Sequence, residues 1–178
     1  MKQEIQVFNH AGEIMNAVST GVLLTTKAEG KVNTMTISWG TLGIEWGTPI
    51  FTVFVRENRF TREQLERSGE FTISMPMGEF DKKILGFCGT RTGRDTDKVR
   101  ELGLTLEEPR IVSAPGIKEL PLTLECRVIY KHTQDKTAIT RENCERFYPQ
   151  DVPGTFHGAN RDCHTAYCGE IVGAYIIR

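Results

Sequence analysis

Two stretches set polar side chains at spacings that could do chemistry. In Asn33-Thr34-Met35-Thr36-Ile37-Ser38-Trp39, hydroxyl groups recur at every second position of a segment that otherwise reads as a β-strand. Positions two apart share a face of a strand, so Thr34, Thr36 and Ser38 point one way, and Asn33, Met35, Ile37 and Trp39 the other. A buried hydroxyl without a partner costs roughly 1–3 kcal/mol, so the strip is expected to face either water or a polar ligand. Past one further strand comes Arg56-Glu57-Asn58-Arg59-Phe60-Thr61, which gathers two guanidinium groups and another hydroxyl at a turn. Arg59 and Thr61 lie two apart, so in an extended turn both reach one anion, and the helix expected to begin there adds free N–H groups and the positive end of its dipole. Hydroxyl donors beside a paired-arginine turn suit a phosphate monoester. Arg56 has a second option, an ion pair with Glu57 or Glu63.

The elements that must position these groups follow from periodicity and turn chemistry. Asn9 can cap a short helix to about Val18. Val22 to Lys27 and Val32 to Trp39 form a hairpin about Ala28-Glu29-Gly30-Lys31, and Gly40, Gly43, Gly47 and Pro49 punctuate a loop before the apolar strand Ile50 to Val55. Thr61 and Gln64 match a capping box for a helix that stops at Gly69. Phe71 to Met75 is a strand, Glu79 to Phe87 reads as helix, and Asp95 can cap a helix over Lys98 to Leu102. Leu104 to Pro121 reads as loop with at most a short strand. Leu122 to Lys131 alternates as a strand, Arg141 to Phe147 makes a helical turn, Tyr148 to Arg161 is loop, and Thr165 to Ile177 is a long final strand. Six or seven strands without steady strand–helix alternation predict an antiparallel barrel or sandwich.

Composition bounds the function. The 178 residues carry 22 basic and 23 acidic side chains, so no global field draws the chain to nucleic acid or to an anionic membrane. No apolar run approaches the roughly 20 residues of a membrane helix, and the first residues lack the features of a secretory signal; a cytoplasmic protein with one core over residues 1–178 is expected. Five cysteines, an odd number without a pairing pattern, are read as free thiols. Cys163, His164, Cys168 and His157 are soft ligands close together, but they lack the usual two-residue knuckle, so no metal site is assigned. A G-x-S-x-G elbow, a P-loop, H-E-x-x-H and a Rossmann G-x-G-x-x-G are all missing.

In order and spacing, the chain resembles the flavin reductase-like, FMN-binding split-barrel proteins, flavoredoxin among them. The resemblance rests on Gly21-Val22-Leu23-Leu24-Thr25-Thr26, the Asn33 to Trp39 strand, the Arg56 to Thr61 turn, Gly69-Glu70-Phe71-Thr72-Ile73-Ser74, Thr92-Gly93-Arg94-Asp95-Thr96-Asp97-Lys98, and His164-Thr165-Ala166-Tyr167-Cys168-Gly169-Glu170-Ile171. It implies a mainly β, six-stranded antiparallel split barrel that forms a homodimer with one FMN per subunit. The cofactor-binding residues it suggests are Asn33, Thr34, Met35, Thr36, Ser38, Trp39, Arg56, Arg59, Thr61, Arg94 and His164. Arg94 is carried over as a ligand contact on the flavin or nicotinamide side, with Arg91 and Lys98 in the same basic cluster. His164 is either structural or a flavin or substrate contact. Trp39 and Trp46 either cover the flavin ring or plug the core.

The implied activity is an oxidoreductase in which FMN carries the redox chemistry, NADH or NADPH is a transient co-substrate, and the acceptor is a second flavin, an iron centre or another small molecule. No side chain is required as acid or base. The alternatives are an FMN electron carrier reduced by a protein partner, as in flavoredoxin, and a flavin-free binding module on the same barrel.

Overall fold

The computed structural model describes residues 1–150 and 162–178; most of the loop expected over Tyr148 to Arg161, and His157 with it, lies outside the described residues. In chain order the elements are β1 (Lys2–Glu4), a 3-10 turn Val7–His10, α1 (Ala11–Thr20), β2 (Val22–Ala28), β3 (Lys31–Ile37), β4 (Gly40–Glu45), β5 (Thr48–Arg56), α2 (Phe60–Ser68), β6 (Glu70–Met75), α3 (Lys83–Thr90), α4 (Lys98–Leu102), β7 (Leu106–Glu107), β8 (Gly116–Ile117), β9 (Leu122–Thr133), a 3-10 turn Lys136–Ala138, α5 (Arg141–Phe147) and β10 (His164–Ile177). The main sheet is antiparallel and runs β3-β2-β6-β9-β10-β5-β4, with β1 added on β10; β7 and β8 pair separately. All six strands anticipated from the sequence are in this sheet, and β1 and β4 join them.

The Gly-rich stretch expected as loop is β4. It forms a hairpin with β5 because Trp46 and Gly47 both take positive φ, 50° and 74°, the pair of left-handed residues that matches the twist of flanking strands. Glu29 and Gly30 do the same between β2 and β3. Gly40 stands where a Cβ would lie 3.0 Å from the Phe51 ring, so the glycine that looked like a breaker allows close strand approach.

Three caps differ from expectation. Asn9 lies in the 3-10 turn and α1 starts after His10 without a side-chain cap. The cap of α4 is Asp97, whose carboxylate accepts the Arg100 N–H, and not Asp95. Helix α2 starts at Phe60, so Thr61 is inside its first turn, and Gln64 binds Thr26 Oγ1 and the Lys31 carbonyl instead of closing a box. Its end at Gly69, φ 63°, is as anticipated.

Cross-strand register divides the sheet into two faces. The inner one carries Val22, Leu24, Met35, Ile37, Phe71, Ile73, Met75, Leu122, Leu124 and Cys126, which pack into the main core with Phe51, Val53 and Val55 of β5. The outer face of β2, β3, β6 and β9 carries Leu23, Thr25, Thr34, Thr36, Thr72, Ser74, Thr123 and Glu125. It is covered by the segment from α3 through Leu120, whose Ile84, Cys88, Leu104, Ile117 and Leu120 form a second core around Leu23.

The hydroxyls of the outer face fasten that cover. Thr36 Oγ1 donates to the Leu85 carbonyl at 2.6 Å, Thr72 Oγ1 to the Pro115 carbonyl at 2.6 Å, and Ser74 Oγ accepts the Ile117 N–H at 3.1 Å. Buried Glu125 accepts the N–H groups of Arg110, Ile111 and Val112. A covering layer that shares no strand ladder with the main sheet has backbone groups to satisfy, and these side chains satisfy several of them.

Candidate functional site

Asn33 sits on the inner face of β3 at the end of the barrel that α2 caps. Its Nδ2 donates to Thr61 Oγ1 at 2.9 Å, while Oδ1 is buried without a protein partner. A Cβ on Gly93 would lie 2.0 Å from that Oδ1 and 2.9 Å from the Phe60 ring, so the segment between α3 and α4 approaches Asn33 as closely as only glycine permits. Around this contact opens a cleft of about 350 Å³ lined by Asn33, Met35, Asn58, Arg59, Phe60, Thr61, Arg91, Thr92, Gly93, Arg94 and Lys98.

Four of those side chains are cationic and none is acidic, which gives the cleft the polarity of an anion site. Arg94 is partly committed, pairing with Glu63 and donating to the Asn58 carbonyl. No carboxylate pairs with Arg59, Arg91 or Lys98 among the described residues. Lys98 is 4% exposed. Its ammonium donates to the Arg91 and Cys88 carbonyls, and burial, with Arg59 nearby, lowers its pKa to about 8. It remains mostly protonated at neutral pH, held by backbone oxygens and not by a counter-ion.

A second group of residues lies at the start of β10. His164 is 6% exposed; its Nδ1 lies 2.8 Å from Tyr148 Oη, and its ring packs against Trp39 with centroids 4.8 Å apart. Phe147 meets Trp39 edge-on at 5.1 Å. Burial, assisted by Arg56 and Arg59 and opposed by Asp162, lowers the His164 pKa to about 4, so the imidazole is neutral. Beside it, a pocket of about 380 Å³ is lined mainly by apolar groups of α1 together with Ser38, Trp39, Gly40, Phe54 and Gln134. Arg59 lowers both Lys98 and His164, so it lies within electrostatic reach of both groups.

The residues singled out from sequence therefore divide. Asn33, Met35, Arg59, Thr61 and Arg94 meet in the cationic cleft; Ser38, Trp39 and His164 meet in the aromatic region. Thr34 and Thr36 are in neither. Of the polar strip expected to face water or ligand, Ser38 is exposed and lines the second pocket, whereas Thr34 is fully buried and shares a hydrogen bond with Thr25 at 3.1 Å, and Thr36 holds α3. Arg56 turns away from the cleft to the Asp162 and Phe147 carbonyls and the Tyr148 ring. Trp46 is 65% exposed, beside Tyr130, and plugs no core. Asn58, Thr92 and Gly93 line the cleft without having been assigned to it, and Lys98, left open with Arg91, is its most buried cation. A lysine placed just after the cap of a short helix was the available signal.

The donor set fits a phosphate monoester such as that of FMN: unpaired cations, N–H groups at the start of α2, and an Asn33 side chain with one polar end unused. Because amide orientation is assigned from partners, a flipped Asn33 would accept from Thr61 and direct Nδ2 as a donor instead. The apolar, aromatic-lined second pocket suits a flat ring.

Residues 15–178 match the flavin reductase like domain. The chain belongs to that family. An uncharacterised protein of Archaeoglobus fulgidus is 33% identical over 113 residues, 63% of each chain. YddH of Escherichia coli K12 is 29% identical over 124 residues, 68% of this chain and 64% of that protein. This chain thus spans just under two thirds of these two relatives' length. Flavoredoxin of Methanosarcina acetivorans is 25% identical, with a TM-score of 0.63 over 89% of this chain and 68% of that one. The FMN-binding domain of a flavin reductase-like enzyme from Shewanella baltica, at 18% identity, shares the fold with a TM-score of 0.65 over 99% of this chain and 77% of that one. The split barrel is therefore the flavin reductase-like one. No helix among the described residues is long and apolar enough to cross a membrane, and none of their His, Cys, Asp and Glu side chains form a group of three or more suited to a metal ion.

Proposed function

We propose that this chain is an FMN-binding oxidoreductase that holds the cofactor's phosphate in the cationic cleft and its ring toward Trp39 and His164. The observation that carries the reading is the cleft itself: Arg59, Arg91, Arg94 and Lys98 with no acidic lining, at the first turn of α2 and against Asn33. When bound, FMN supplies the redox chemistry, accepting reducing equivalents from NADH or NADPH and passing electrons to a second flavin, an iron centre or another small acceptor. The protein's part is positional. Arg59 and Lys98 neutralise the phosphate, Thr61 and Asn33 orient it, and the pocket between α1 and Trp39 excludes water from one side of the ring. His164, neutral at pH 7, is not a cationic acid at the ring end of the site. Thr34, Thr36 and Arg56 support the surrounding fold in this reading. The protein acts as one domain over residues 1–178, as a cytoplasmic homodimer.

The likeness to flavoredoxin of Methanosarcina acetivorans supports a second reading, a resident FMN reduced by a protein partner. An absorbance spectrum between roughly 350 and 500 nm, before and after anaerobic NADH or NADPH, separates them. Bleaching at a catalytic rate supports the reductase. A flavin spectrum inert to both nucleotides supports the electron carrier. Protein that takes up no added FMN overturns both.

A further inference from the structure

The hydrogen bonds around His164 determine which of its nitrogens carries the proton. The His164 backbone N–H, necessarily a donor, lies 3.2 Å from the Gln134 side-chain oxygen, which assigns that atom as Oε1. The same Oε1 lies 2.7 Å from Tyr148 Oη. Two oxygens at that distance must share a proton, and only the phenol has one. The Tyr148 hydroxyl is therefore committed to Gln134, and toward His164 Nδ1, 2.8 Å away, its oxygen can only accept. Nδ1 must be the protonated nitrogen. Nε2 is left with a bare lone pair, and no described residue donates to it.

We propose that Tyr148 and Gln134 are positioning residues that lock His164 as the Nδ1–H tautomer, so that Nε2 is an obligate acceptor for an N–H or O–H group of a ligand bound beside Trp39. Gln134 also lines the pocket next to Trp39, so it joins that pocket to the imidazole. The ligand half of the proposal rests on the FMN reading; the protonation half stands without it. Among the described residues, burial, Arg56 and Arg59 oppose a second proton on the imidazole and Asp162 favours it, and the neutral ring wins on balance. A ligand offering only a carbonyl oxygen at this point would meet a second lone pair and be disfavoured.

The test is a long-range 1H–15N correlation spectrum of the full-length protein labelled with 15N-histidine, the His164 signals being assigned by their loss in His164→Gln. The expected result is protonated Nδ1 and bare Nε2, unchanged from pH 8 to pH 5. An Nε2–H tautomer, or a protonation midpoint near the ordinary value of about 6.5, overturns the proposal. Tyr148→Phe removes the acceptor of the Nδ1 proton and is expected to shift His164 toward a mixture of tautomers; an unchanged tautomer in a folded variant overturns the positioning role. If Tyr148→Phe does not fold, the wild-type spectrum still decides the tautomer, and Gln134→Glu, which keeps the oxygen acceptor, is expected to preserve it. FMN is then added as the probe, with its binding followed separately by flavin fluorescence. A shift of the Nε2 resonance on saturation supports the ligand half. Binding without that shift overturns that half alone, and no binding overturns it together with the FMN reading while the tautomer result stands.

Discussion

Asn33 Nδ2 donates to Thr61 Oγ1 across 2.9 Å, joining β3 to the first turn of α2 although the residues lie 28 apart in sequence. The bond ties the two elements that flank the cationic cleft, and because the Thr61 oxygen accepts in it, the Thr61 O–H proton stays free to donate. A phosphate arriving at α2 therefore meets an organised wall and not a set of loose side chains.

Removing a cation from that wall is expected to weaken FMN binding. A hydrogen bond to a charged group contributes about 1.5–3 kcal/mol, so Arg59→Ala or Lys98→Met is expected to raise the FMN Kd by about 10- to 100-fold. Flavin fluorescence titration at fixed ionic strength measures it. Equal affinities in wild type and both variants would place the phosphate elsewhere.

Gly93→Ala tests the close approach. Its Cβ would meet Asn33 Oδ1 at 2.0 Å, so the segment must move and the cleft with it; lower thermal stability and weaker FMN binding are expected together. Gly86→Ala is the control, because nothing lies within 4 Å of a Cβ there and alanine is the better helix former by about 1 kcal/mol. Thermal melts and FMN titrations of the two variants should diverge.

FMN affinity should fall as pH rises through about 8. The pKa of Lys98 is lowered to about 8 in the ligand-free protein. A bound phosphate favours the ammonium and raises that value, so binding above pH 8 takes up a proton and becomes weaker. Titrations from pH 7 to pH 9.5 in wild type and Lys98→Arg check it, the arginine remaining charged and giving the flatter profile.

Acid should cost stability through His164. Its folded pKa of about 4 lies below the unfolded value of 6.5, so the unfolded chain binds the extra proton first. The contribution is fully present above pH 6.5 and lost as pH falls toward 4, up to roughly 3 kcal/mol. Urea unfolding at pH 7 and pH 5 should show a smaller difference for His164→Gln than for wild type.

Glu125→Gln keeps the shape of the side chain but turns an amide toward backbone donors that a carboxylate now accepts. A loss of roughly 3 kcal/mol corresponds to about 6–12 °C in Tm for a domain of this size. Calorimetry of the variant measures it.

Much of the barrel is legible in the sequence. An apolar run at residues 22–24, alternation in residues 32–39 and 122–131, and glycine at the ends of the β2–β3 turn and of α2 report local conformation, which period and φ preference determine. Which face of a strand meets what is a tertiary fact. Alternation separates Thr34 and Thr36 from Asn33 and Met35, yet the face of the two threonines is the one covered, because Thr36, Thr72 and Ser74 anchor the covering layer there. The same limit hid β4, whose Gly40 relieves crowding against Phe51. Tyr148 and Gln134 were invisible for another reason. Their importance comes from one shared proton, and no periodicity encodes that.

The two walls of the cleft belong to different layers. Asn33, Met35 and Thr61 are on the barrel and its capping helix, whereas Arg91, Gly93, Arg94 and Lys98 come from the cover that Thr36, Thr72 and Ser74 hold in place. An anion seated between them is thus a rivet across a seam, and its loss should let the cover breathe as a unit, seen as faster amide exchange over residues 83–120 while the barrel strands stay protected.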